Sequence, residues 1–155
     1  MPHRTPLATL FPDFPFAVGA DEFLRKVTSE SIISQFRARR ISMIRIAPLL
    51  SGGGIEIGCD NNFIISLRDV NTLLEKAQSL GHEIGHTFHF DIKEVPPRDY
   101  FDRVTISETL FNQIEDFCTE FSHYWLMAND KDDLMLRIAN TEKLIDQFVY
   151  IHQPA

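Results

Sequence analysis

The sequence predicts an α+β fold in which a small antiparallel sheet of three strands packs against several helices. Residues 41–67 are rich in β-branched residues and are divided by turns containing glycine and asparagine. The segments on either side repeat their apolar residues at helical spacing. The chain has 155 residues, of which 44% are hydrophobic, so residues 1–155 are expected to form a single domain with its own core.

The N-terminal part is expected to start as an extended arm over residues 1–18, followed by a helix from about Asp21 to Arg39. Residues 11–16 read Phe-Pro-Asp-Phe-Pro-Phe. The prolines disfavour a helix, and the phenylalanines can anchor the arm to the core. The helix has an imperfect apolar side made of Phe23, Leu24, Val27, Ile32, Ile33 and Phe36.

Three strands are expected next, at Ile41–Ala47, Ile55–Cys59 and Phe63–Leu67. The glycines at 52–54 are expected to form a hairpin connection between the first two strands. A phosphate-binding loop is the alternative for a triple glycine, but the lysine and following helix of that motif are absent from the sequence. The expected meander has an edge strand that can pair with an extended peptide.

The helical stretch at residues 71–90 contains His-Glu-x-x-His at 82–86. Residues four apart on a helix project from the same face about one turn apart, so His82 and His86 can bind one metal ion together. Glu83 lies beside the first histidine and can act as the general base towards a water molecule. A separate apolar stripe faces the core and consists of Leu73, Ala77, Leu80, Ile84 and Phe88.

Other residues of this stretch carry further expectations. Asp69 or Asn71 is expected to cap the start of the helix. Gly85 has no side chain, so another element can approach the helix closely between the two histidines. His89 lies near the angle of His82, two turns on, and can support a ligand or serve as one, although partial exposure at the helix end is the expectation.

A catalytic zinc site has three protein ligands. The third is sought in a helix predicted from about Ser107 to Met127. Helical geometry places Glu115 beside the apolar stripe of this helix, whereas Asp116 and Glu120 project from the opposite flank. A carboxylate among apolar neighbours is unfavourable unless it is paired or bound to a metal. Glu115 is therefore the expected third ligand, and Thr119 can support the site by a hydrogen bond.

The rest of the chain contributes fewer candidates. A C-terminal helix is expected within residues 129–155, from about Asp132 to Tyr150. Cys59 and Cys118 lack the paired spacing of metal-binding or disulfide-forming cysteines, so neither is expected to be a ligand.

Composition excludes several classes of function. The formal net charge of −7 argues against nucleic acid as a direct ligand, because phosphate binding requires a basic surface. No apolar run is long enough to span a bilayer, and residues 1–6 lack the apolar core of a signal peptide. We therefore expect a cytoplasmic protein that does not bind membranes.

Two segments resemble the ImmA/IrrE family of zinc metallopeptidases. The first is Gly81–His86, and the second is residues 115–127, which read Glu-x-x-Cys-x-x-Phe-Ser-x-x-Trp-Leu-Met. The family pairs His-Glu-x-x-His with a later Glu-x-x-(Ala/Cys)-(Asn/Asp)-x-Phe-Ala-x-x-Leu-Leu-Met-Pro segment. The resemblance covers about residues 40–128. The chain departs from the pattern at Thr119, at Ser122-His123, at Ala128 and at Phe90, where the family usually has a histidine.

The resemblance implies a zincin-like fold of the gluzincin type and a cytoplasmic zinc peptidase. Its implied substrate is a protein, a helix-turn-helix transcriptional repressor whose cleavage releases stress or mobile-element genes. Tyr100, Tyr124 and His123 are candidates for stabilising the oxyanion. One alternative is a zinc-binding regulatory or interaction module without turnover. Another is a purely structural helical domain in which the His-Glu-x-x-His is accidental.

Overall fold

The structure, a computed structural model, describes residues 6–28, 30–58, 61–91, 100, 106–143 and 149–150. The elements in chain order are α1 (Leu7–Leu10), α2 (Phe16–Lys26), α3 (Ile32–Ala38), β1 (Ile41–Ala47), β2 (Gly53–Ile57), β3 (Phe63–Arg68), α4 (Leu73–Asp91), α5 (Glu108–Ala128), α6 (Lys131–Lys143) and β4 (Val149–Tyr150). The predicted α+β class is confirmed. Within the described ranges, the helices are too short or too polar to cross a membrane.

The sheet is mixed, with the strand order β2-β3-β1-β4. Strands β2 and β3 pair antiparallel, β1 and β3 pair parallel, and the two-residue β4 pairs antiparallel with β1. The antiparallel pairing of β2 with β3 is as the meander predicts, but the meander is wrong for β1, which pairs in parallel with β3 and not with β2. The glycines at 52–54 therefore do not close a hairpin onto β1, since β3 lies between β1 and β2.

The burial of β3 explains this order. Phe63, Ile65 and Leu67 have no exposed surface, and Ser66 between them is only 5% exposed. A strand that is covered on both faces belongs in the interior of a sheet, where neighbouring strands and helices exclude water from it. Strand β2 begins with two glycines and lies at the edge.

The N-terminal segment packs as helices rather than as an arm. The expected extended conformation over residues 1–18 is wrong where it is described, because α1 forms at Leu7–Leu10 and α2 starts at Phe16. The carboxylate of Asp21 accepts hydrogen bonds from the first two N–H groups of α1, which have no partner within such a short helix. The Phe16 ring meets the Phe117 ring edge-on at 4.8 Å, so an aromatic side chain does anchor this segment to the core. Residues 1–5 lie outside the described residues.

Two of the predicted helices are shorter than expected. The helix expected from Asp21 to Arg39 is interrupted between α2 and α3, because the Ser31 hydroxyl accepts the Ser34 N–H and starts a new helix. The C-terminal helix is described over Lys131–Lys143 and does not reach Tyr150, because Val149–Tyr150 form β4. Residues 144–148 and 151–155 lie outside the described part of the chain.

Helix α4 starts with a reciprocal capping arrangement. The Thr72 hydroxyl accepts the Glu75 N–H at 3.1 Å, and the Glu75 carboxylate accepts the Thr72 N–H at 2.9 Å. The expected cap by Asp69 or Asn71 is therefore wrong. The backbone carbonyls of those two residues instead accept hydrogen bonds from the buried ammonium group of Lys76.

Two glycines allow α4 and α5 to pack closely. A Cβ atom on Gly81 would lie 2.7 Å from the Ser122 hydroxyl and 3.0 Å from both the Ser122 Cα and the Trp125 ring. A Cβ atom on Gly85 would lie 3.1 Å from the Cα of Cys118. The Ser122 hydroxyl also donates a hydrogen bond to the Gln78 carbonyl at 2.6 Å, which joins the two helices. The close approach that Gly85 was expected to permit is thus confirmed.

We predict that Gly81→Ala lowers the free energy of unfolding by about 1–3 kcal/mol, because the added methyl group overlaps backbone and ring atoms of α5. The matched control is Gly19→Ala in α2, where a Cβ atom meets nothing within 4 Å. That substitution should raise the stability by up to about 1 kcal/mol through helix propensity. Urea denaturation of the three proteins measures both effects. A Gly81→Ala protein as stable as the wild type would contradict the close helix contact.

Candidate metal centre

The side chains of His82, His86 and Glu115 converge on one point between α4 and α5. His82 Nε2 lies 2.7 Å from Glu115 Oε2, and His86 Nε2 lies 3.4 Å from the same oxygen. The ligand atoms of a tetrahedral zinc ion lie roughly 3.3 Å apart. The three residues expected from the sequence are therefore arranged at close to the spacing of zinc ligands.

The ring nitrogen of each histidine that faces away from Glu115, Nδ1, contacts a second side chain. His82 Nδ1 lies 3.3 Å from the Thr119 hydroxyl, and His86 Nδ1 lies 3.0 Å from His89 Nε2. Such contacts fix the ring orientation with Nε2 facing Glu115, and with a metal bound, a proton on Nδ1 would leave the Nε2 lone pair for the ion. Thr119 thus makes the contact expected of it. The expected partial exposure of His89 is wrong, because His89 is fully buried behind His86.

The carboxylate of Glu115 is oriented in the same way. The Tyr100 hydroxyl donates a hydrogen bond to Glu115 Oε1 at 2.9 Å, while Oε2 faces the two imidazoles. Tyr100 is itself buried, with its ring 5.1 Å from that of His86. Its hydroxyl therefore orients Glu115 and is not directed towards an incoming substrate.

The donor set fits a divalent cation such as zinc. Two imidazole nitrogens and one carboxylate oxygen face a common point, and the opposite atom of each group is occupied by an outer hydrogen bond.

Among the described residues, His89 Nδ1 is buried without a hydrogen-bond partner. That arrangement is consistent with a neutral His89 that accepts the His86 proton through Nε2. Burial and the charge of nearby His86 lower the pKa of His89 to about 2.

The charges at this point are coupled. Burial is the largest single influence and acts to lower the pKa of His82, but the hydrogen bond to Glu115 together with the charges of Glu83 and Glu115 raises that pKa above its ordinary value. Burial acts to raise the pKa of Glu115, but the hydrogen bonds and the charges of His82 and His86 together hold that pKa well below the ordinary value. The carboxylate therefore stays ionised, as a metal ligand must be.

Glu83 lies at the same site with a different environment. It is 7% exposed, and burial raises the pKa of its carboxyl group. A Cβ atom on Gly53 of β2 would lie 3.5 Å from Glu83 Oε1, so the start of the edge strand passes directly over this carboxylate. A buried carboxylate with a raised pKa beside metal ligands is suited to accepting a proton.

The site opens into a cleft of about 710 Å³ between β2, α4 and α5. Its lining residues are Ser51, Gly52, Gly53, Gln78, Ser79, His82, Glu83, Glu115, Thr119, Ser122, His123 and Leu126. Of the three residues considered for stabilising an oxyanion, the exposed His123 lines this cleft, whereas Tyr124 is buried and Tyr100 contacts Glu115.

Cys118 is a candidate ligand that the sequence reasoning missed. A ring nitrogen of His82, a ring nitrogen of His86 and Cys118 Sγ all lie within 4.8 Å of one another. Burial raises the pKa of the Cys118 thiol. Cys118 has no nearby cysteine, so a pattern of paired cysteines does not reveal it as a ligand. Its position three residues after Glu115 does indicate it, since residues three apart share a helix face.

Comparison of the chain with protein-family models, curated proteins and solved structures finds no match. A function for the cleft therefore rests on its own geometry and on the resemblance of the two motifs described above.

We predict that the purified protein binds about one zinc ion per chain and that His86→Ala loses most of it, because the two imidazoles one turn apart on α4 hold the ion together. His123→Ala is the matched control, since His123 lines the same cleft without belonging to the converging group. Metal analysis after dialysis measures both. Equal zinc content in the wild type and in His86→Ala would contradict the assignment.

Proposed function

We propose that this protein is a zinc-dependent metallopeptidase that hydrolyses a peptide bond in a protein substrate. The observation that carries the proposal is the convergence of His82, His86 and Glu115 beside Glu83 at the wall of an open cleft. Two histidines and a glutamate, with a second glutamate next to the first histidine, form the ligand and base set of this class of peptidase.

His82, His86 and Glu115 would hold a zinc ion, which would lower the pKa of the attacking water and polarise the carbonyl group to be attacked. Glu83 accepts a proton from the attacking water and returns it to the nitrogen of the departing amine. Its burial and raised pKa suit this role, because a carboxylate whose pKa lies nearer neutrality accepts a proton more readily and still returns it to a more basic amine nitrogen. Thr119, His89 and Tyr100 keep the ligands oriented.

The edge of the sheet supports a protein as the substrate. Among the described strands, β2 forms one edge of the sheet, and its first residue, Gly53, lines the cleft. An extended segment of a substrate can pair with such an edge through main-chain hydrogen bonds and so lie across Glu83. The resemblance to the ImmA/IrrE family leads us to propose a helix-turn-helix repressor as that substrate, in a cytoplasmic role in stress or mobile-element regulation.

A second candidate function is a zinc-binding module without turnover. The position of Cys118 favours it, because two histidines, a glutamate and a thiolate would fill all four positions of a zinc ion. Zinc sites with four protein ligands are typically structural, whereas catalytic sites keep one position open. Turnover on a protein substrate separates the two functions.

We predict two different failures at the two glutamates. Glu83→Gln should keep its zinc and lose about 10²- to 10⁴-fold in cleavage rate, because the proton acceptor is removed while the ligands stay in place. Glu115→Gln should lose both zinc and cleavage, because a neutral amide is a poor replacement for an anionic ligand. Asp116→Asn, the exposed neighbour of Glu115, is the matched control and should retain both.

The assay is cleavage of a co-expressed helix-turn-helix protein encoded next to this chain, with zinc measured on the same samples. Unchanged cleavage by Glu83→Gln would show that Glu83 is not the base. Absence of cleavage by zinc-loaded wild-type protein would favour the module without turnover.

A further inference from the structure

Cys118 is a fully buried metal-binding side chain beside His82 and His86, and the hydrolytic reaction does not need it. We propose that Cys118 completes the metal site through its sulfur atom, as a thiolate, and that a bound sulfur closes the site to water. The inference rests on the proposed function for its regulatory part, while the ligand assignment stands on geometry alone.

The sulfur of Cys118 lies close to both histidines. The sulfur of Cys118 and one ring nitrogen from each of His82 and His86 lie within 4.8 Å of one another. In a tetrahedral zinc site a sulfur and a nitrogen ligand lie about 3.5 Å apart. A movement of roughly 1 Å, within reach of a small side-chain rotation, is therefore enough to bring the sulfur to the ion.

Cys118 is packed tightly against α4. A Cβ atom on Gly85 would lie 3.3 Å from both the Cβ and the sulfur of Cys118. Gly85 lies between the two histidines on α4, so the thiol is held against the backbone that carries them. Cys118 also follows Glu115 by three residues on α5, so both side chains reach the site from the same helix face.

The thiol of Cys118 also has suitable chemistry for a zinc ligand. Thiolate is a preferred zinc ligand, and a thiol loses its proton when it coordinates the ion. That proton passes to solvent as the bond between sulfur and metal forms. When the bond breaks, the sulfur takes up a proton from solvent again and one position becomes open. Four protein ligands leave no position for water, so the closed form is inactive and the form without the sulfur is competent.

The test uses the full-length protein loaded with Co²⁺ in place of zinc. A thiolate bound to Co²⁺ gives an intense charge-transfer band in the near ultraviolet, which nitrogen and oxygen ligands do not give. We expect this band in the wild type and in Cys59→Ser, the matched control that removes the other cysteine of the chain. We expect Cys118→Ser to lose the band and to keep about one Co²⁺ per chain, because three ligands remain.

Two results would overturn the ligand assignment. One is the absence of the band from the Co²⁺-loaded wild-type protein. The other is a band that persists in Cys118→Ser or disappears in Cys59→Ser. Cys118→Ala serves as the second variant if the serine protein fails to fold, because it places no polar group in this fully buried position.

The regulatory part is tested by cleavage of the co-expressed helix-turn-helix protein. Removal of Cys118 should make the zinc-loaded protein cleave several-fold faster than the wild type. A wild type that shows the Co²⁺ band but cleaves as fast as Cys118→Ser would overturn closure by the sulfur. Loss of cleavage in every variant, with the band present, would instead contradict the peptidase function and leave Cys118 as a ligand.

Discussion

The close contact between α4 and α5 is the constraint on which the site depends. Gly81 and Gly85 lie one turn apart on α4; a Cβ atom on Gly81 would overlap α5, and one on Gly85 would be unusually close to Cys118. Their spacing lets the two backbones approach until Glu115 reaches the imidazoles of His82 and His86. With larger residues at those two positions the helices would be separated, and the carboxylate would be out of reach of the histidines.

Orientation of the ligands is a second requirement, and it is met by residues from different parts of the chain. Thr119 belongs to α5, His89 belongs to α4, and Tyr100 lies in the connection between them. Each of these side chains contacts the far side of one ligand. Tyr100, His89 and Phe90 also surround His86 with aromatic rings, which exclude water from that side of the site. The opposite side faces the cleft, so the site is accessible from one direction.

The sequence identified those parts of the site that depend on position within a single helix. The shared face of His82 and His86, and the placement of Glu115 beside an apolar stripe, follow from helical periodicity alone. His89 and Cys118 each lie three residues from an expected ligand, so periodicity brings them near the site, but their complete burial depends on how the rest of the chain packs around them.

In the fold, too, local features could be predicted from the sequence and long-range features could not. Helix positions were largely predictable, since apolar spacing is local. The break before α3 was missed because the Ser31 hydroxyl competes with continued helix formation, and this outweighed the apolar pattern. The order of the strands depends on pairing between distant residues. The continuous apolar run of β3 was the available sign that it lies inside the sheet, with β2 rather than β3 at the edge.

The central claim is that α4 and α5 together hold one divalent metal ion at the point where their ligands meet. A crystal structure of the zinc-loaded protein, with anomalous data collected at the zinc edge, tests it directly. The account predicts one anomalous peak about 2.0–2.2 Å from His82 Nε2, His86 Nε2 and Glu115 Oε2. A peak elsewhere, or a His82–Glu115 hydrogen bond that persists in the zinc-loaded crystal with no peak between the helices, would contradict it.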